Sequence, residues 1–96
     1  MNRLEHLLFI LAEECAEVAQ RASKAARFGM DEVEPGQSLN NAQRLMVEVN
    51  DLYAALKMLD DEGVIYPNPD FDAIDAKIAK VEKFLEYSRC CGTLPR

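Results

Sequence analysis

The chain has no tryptophan, one histidine, three cysteines, and only four glycines and four prolines in 96 residues. Each shortage removes a class of protein. A lone histidine, His6, cannot supply the paired Glu-x-x-His motifs of a ferritin-like di-iron bundle, and no Glu stands three residues before it. The cysteines are odd in number, two are adjacent (Cys90 and Cys91), and none forms a Cys-x-x-Cys pair, so neither a zinc site nor a disulfide framework is encoded. This usage fits a reducing cytosol. No apolar run approaches the roughly 20 residues of a membrane span. The apolar stretch from Leu7 to Ala12 runs straight into Glu13 and Glu14, with no small-residue cleavage site. A soluble, cytoplasmic protein with no membrane contact is expected. Positive charge is scarce too. Eleven basic against seventeen acidic residues leave a net charge of −6, which sets aside general affinity for a nucleic acid backbone. A phosphorylated small molecule remains open, provided that metal ions screen the carboxylates.

What is present is helical. Hydrophobic residues make up 49% and charged residues 29%, a globular composition, and the length suits one domain with a thin core. Leu4, Leu7, Leu8, Leu11, Cys15, Val18, Ala22 and Ala25 recur at spacings of three and four, predicting a helix from about Arg3 to Phe28 that ends at Gly29. At about 1.5 Å per residue it is nearly 40 Å long, more than a small domain is wide, so part of it is expected to pack on another subunit. Residues 30–37, with Pro35-Gly36, read as a loop free to move. Ser38 is the expected N-cap of a second helix reaching Asp61, with Ala42, Leu45, Val49, Leu52, Leu56 and Leu59 on one stripe. Gly63 stops it, and Val64 to Pro67 form an extended connection. Asn68, Pro69 and Asp70 combine a cap, a first-turn proline and a negative charge, predicting a third helix that runs to about Cys90 and buries Phe71, Ile74, Ile78, Val81, Phe84 and Leu85. The expected fold is an all-α bundle of three long helices, completed by oligomerisation.

The chemistry sits in the acids. Glu13, Glu14 and Glu17 lie within five residues of the first helix, and Glu48 and Asp51 lie three apart in the second. A helix turns about 100° per residue, so Glu14 and Glu17 share a face, as do Glu48 and Asp51, each beside its apolar stripe. If the stripes pack together, four carboxylates meet across the interface. Left unmatched, such a cluster raises its own pKa values and weakens the fold, whereas a hard divalent cation relieves it. Either motif alone is more often a solvated helix face. Their joint occurrence points to a metal site.

Glu13-Glu14-Cys15-Ala16-Glu17 followed by Glu48-Val49-Asn50-Asp51 resembles the Glu-Glu-x-x-Glu and Glu-x-x-Asp signature of the all-α nucleoside triphosphate pyrophosphohydrolases, the MazG-like group. The similarity covers about 60 residues, with a gap between the motifs that is long for compact members. It implies magnesium, with manganese as a substitute, held by Glu14, Glu17, Glu48 and Asp51, and Glu13 as a further ligand or as the base for the attacking water. It implies cleavage of a nucleoside triphosphate between its α and β phosphates, to the monophosphate and pyrophosphate, by a homodimer or homotetramer. It also implies triphosphate-binding cations from a later helix, for which Lys77 and Lys80 are the candidates. The competing reading is a helical interaction module whose acids are surface charge.

Arg21 and Lys24 continue the acidic stripe by one and two turns and are candidates to hold outer phosphates, against simple i, i+4 pairing of Glu17 with Arg21. Asn50 and Tyr53 flank Asp51 as candidates for base recognition, with Phe28 closing one side; for both aromatics a core or dimer contact is the simpler role. His6 is expected on the surface and Cys15 as a small buried residue.

Overall fold

The computed structural model describes residues 1–95 and is all-helical: α1 (Arg3–Phe28), α2 (Asn41–Asp61) and α3 (Phe71–Cys91), with no strand among the described residues. Helix α1 starts where Asn2 accepts a hydrogen bond from the Glu5 N–H while the Glu5 carboxylate accepts one from Asn2 N–H, so two donors that the helix start leaves open are satisfied reciprocally. It ends at Gly29, whose φ of 100° only glycine adopts at little cost and whose N–H closes on the Ala25 carbonyl.

The start of α2 differs from expectation. Its N-cap is Asn40, not Ser38, because Asn40 can build a second capping box with Gln43, three residues on. Ser38 has no Glu or Gln at that offset. Likewise α3 is capped by Asp70, whose carboxylate accepts from the Ala73 N–H, so Asn68 and Pro69 precede the helix instead of opening it.

Helices α1 and α2 form an antiparallel hairpin. An ion pair from Arg3 to Glu62 ties the first turn of α1 to the end of α2, and Asn41 at the start of α2 binds the Gly29 carbonyl at the end of α1. Between them lies the core, where Leu7, Ala25, Ala55 and Leu59 are buried. The α1 stripe proves to be two faces. Leu4, Leu7, Leu11, Val18 and Ala25 turn toward α2, whereas Leu8, Cys15 and Ala22, seven residues apart, lie in a line on an exposed flank. Cys15 is therefore exposed, contrary to expectation, because nothing packs on that flank.

Helix α3 supplies the larger correction. It touches neither α1 nor α2 and has no buried residue. Phe71, Ile74, Ile78, Val81 and Phe84, expected in the core, are exposed, and Leu85 is half-buried. The reason lies in the connection. Pro67 and Pro69 bias Tyr66 and Asn68 toward extended backbone, so the segment after Gly63 carries α3 away from the hairpin and does not fold it back.

Candidate metal centre

Packing of α1 on α2 brings the two acidic motifs together. Glu14, Glu17 and Glu48 each offer a carboxylate oxygen, and the three oxygens lie within 4.8 Å of one another. Glu14 and Glu48 are half-buried and Glu17 is exposed. One oxygen each of Glu14 and Glu48 is shut off from solvent and has no hydrogen-bond partner in the protein. Buried acceptors without partners are costly, so these two atoms are the points at which the folded chain asks for something it does not itself provide.

The electrostatics follow from that placement. The Glu14 carboxyl is pushed above its ordinary value of 4.5 first by burial, then by the charges of Glu17, Asp51 and Glu13. Glu48 is raised first by side-chain hydrogen bonding with Glu17, then by burial and by the charges of Glu17, Asp51 and Glu14. Asp51 is thus close enough to act on both helices' acids, although it lies outside the tight triad. Glu13 is exposed, and its charge is felt at Glu14.

A cleft of about 370 Å³ opens further along the same side of α1, lined by Arg21, Lys24, Phe28, Glu32, Glu34, Pro35 and Asn41. Arg21 sits four residues beyond Glu17, roughly 6 Å along the helix axis, so the cleft begins about one helical turn beyond the carboxylates, none of which lines it. No ion pair joins Glu17 to Arg21 among the described residues; one guanidinium nitrogen of Arg21, Nη1, is buried without a partner. Phe28 forms one wall, with the Arg27 guanidinium 5.1 Å from its ring centre.

Sequence reasoning did not find the far wall. The connection between α1 and α2, whose residues 30–37 were expected to move, is tied down: the Asn41 side chain donates to the Gly29 carbonyl at 2.7 Å and to Glu32 at 3.0 Å, and the backbone N–H groups of Asn41 and Ala42 reach the carbonyls of Glu32 and Met30. Arg44 pairs with Glu34 at 2.6 Å. That hydrogen bond, followed by the Arg44 charge, holds the Glu34 carboxyl below its ordinary range, and the nearby charges of Lys24 and Arg21 act in the same direction. Asn41 is 3% exposed. The available signal was its place at the start of a helix beside a long loop whose polar backbone needed partners.

Other candidates stand apart. Tyr53 is 60% exposed, Asn50 is exposed as well, and neither lines the cleft. Lys77 and Lys80 ride on α3, which a single chain holds away from α1 and α2. His6 is exposed, as expected. No helix of the described residues is long and apolar enough to cross a membrane. No family model, curated protein or solved structure matches the chain.

Proposed function

We propose that the chain is a magnesium-dependent nucleoside triphosphate pyrophosphohydrolase, cytoplasmic and active as a homodimer or homotetramer. The observation that carries this reading is the triad of Glu14, Glu17 and Glu48, with two buried unpartnered oxygens, about one turn of α1 from a cleft lined by Arg21 and Lys24. The donor set suits the ion: hard carboxylate oxygens from two helices, too few to enclose it, leave coordination positions for water and phosphate. A divalent cation held there would offset the charge of the phosphate oxygens and increase the acidity of a nearby water.

The remaining roles fall to this chain's own side chains. Asp51 adds negative charge beside the triad. Arg21 and Lys24 meet the outer phosphates, and the buried Arg21 nitrogen gains the acceptor it lacks. Glu13, next to the triad and open to solvent, is placed to receive the proton of the attacking water. The resemblance of the two acidic motifs to the MazG-like enzymes supports the same reaction.

The test is incubation of the protein with a panel of ribo- and deoxyribonucleoside triphosphates and magnesium. Pyrophosphate and monophosphate are the expected products, and Glu48→Gln is expected to lower the rate by at least a hundredfold. Release of orthophosphate, or no product from any nucleotide, contradicts the assignment. A second reading, a helical interaction module, is favoured by the open apolar face of α3; on that reading nucleotides stay intact and magnesium has no effect on the fold.

A further inference from the structure

On α3, Phe71, Ile74, Ile78, Val81 and Leu85 are spaced three, four, three and four, which is the alternation of a coiled-coil seam, and Ser88 continues it. Phe71, Ile78 and Leu85 fall on one kind of core position and Ile74, Val81 and Ser88 on the other. From Phe71 to Val81 this seam is exposed, and neither α1 nor α2 covers it. We propose that its occupant is α3 of a second copy, lying parallel and in register.

Charge selects the orientation. Lys77 flanks one side of the seam, and Asp75 and Glu82 flank the other. In a parallel pair each Lys77 faces Glu82 of the second copy, five residues on, and the symmetry makes this contact twice. In an antiparallel pair Asp75 and Glu82 oppose each other, acid against acid. Surface area points to a second copy as well. The described residues expose 7351 Å², whereas a compact monomer of 10.8 kDa exposes about 5,500 Å², an excess of about 1,800 Å². That is what one protomer contributes to a large permanent dimer, for which the two sides together bury about 2,000–5,000 Å². The radius of gyration of 16.9 Å, against about 13 Å for a compact chain near this length, says the same of shape. Tyr66-Pro67-Asn68-Pro69 acts as the stiff spacer that projects the seam outward. Exposed Leu8 and Phe9 on α1 offer further apolar surface to the same partner.

The test needs neither metal nor nucleotide, so it stands apart from the hydrolase reading. Sedimentation of the full chain is expected to show a dimer. In a background with Cys15→Ser, Cys90→Ser and Cys91→Ser, Ser88→Cys is expected to form an interchain disulfide under mild oxidation, because parallel seam positions face each other with Cα atoms within the reach of about 4.4–6.8 Å that a disulfide requires. Lys83→Cys, on the outer face, is expected not to. Glu82→Lys is expected to weaken the dimer about tenfold by setting lysine against lysine, and adding Lys77→Glu to restore it. A monomer, or a dimer in which Ser88→Cys links no faster than Lys83→Cys, overturns the proposal; the latter result would place α3 on the partner's α1 or α2.

Discussion

At the scale of single residues, the acidic cluster and the Glu34–Arg44 pair pull stability in opposite directions with pH. Glu14 and Glu48 have folded-state values raised above 4.5, so the folded chain holds protons that the unfolded chain has released. Their favourable contribution is fully present below 4.5 and is lost as pH rises through the raised values. Glu34 is lowered, so its contribution is present above 4.5 and is lost as pH falls through its own value. Denaturant midpoints of the metal-free protein should therefore fall as pH climbs from 4.5 through the raised values, and Glu48→Gln should flatten that slope. A slope unchanged by the substitution would mean that the cluster does not govern it. The pairing of Glu14 and Glu17 with Glu48 was legible in the sequence because helical spacing fixes which side chains share a face. The upward pull of Glu17 on the Glu48 carboxyl was not, since it depends on the distance between two helices.

At the scale of elements, the helices were legible and their starts less so. Ser38 and Asn40 are both capping residues, and what decides between them is the reciprocal bond from Gln43. Asn40→Ala is expected to cost about 1 kcal/mol, whereas Ser38→Ala should leave stability within about 0.5 kcal/mol. Equal effects in urea titrations would contradict that assignment. Asn41 has the larger consequence: it is buried, and its amide holds both the end of α1 and Glu32. Asn41→Ala leaves the Gly29 carbonyl without that donor and should cost about 1–3 kcal/mol. Because Asn41 and Glu32 both line the cleft, the substitution should also raise KM for a nucleotide more than it lowers kcat. A loop of this length without helix or strand has no periodicity from which such contacts can be read.

At the scale of the whole molecule, the apolar pattern of α3 led to an expectation of burial that the single chain does not meet, since Phe71, Ile74, Ile78, Val81 and Phe84 are exposed. A stripe records that a face wants cover; it does not record whose surface supplies it. Ile78 is 56% exposed in one chain. On single-chain accounting Ile78→Ala should change stability by less than about 0.5 kcal/mol, whereas burial by a second copy raises that to about 2–5 kcal/mol and makes the melting temperature depend on protein concentration. Thermal scans across a concentration series separate the two. Whether α1 and α2 assemble a divalent-metal centre from Glu14, Glu17 and Glu48 is decided by the unfolding free energy as magnesium is added without nucleotide. The folded state should gain about 2.7 kcal/mol at a hundredfold excess over Kd, and the Glu14→Gln, Glu48→Gln double variant should gain nothing while being no less stable without metal. Equal response of the two proteins to magnesium, or none from the unaltered chain, would contradict such a centre.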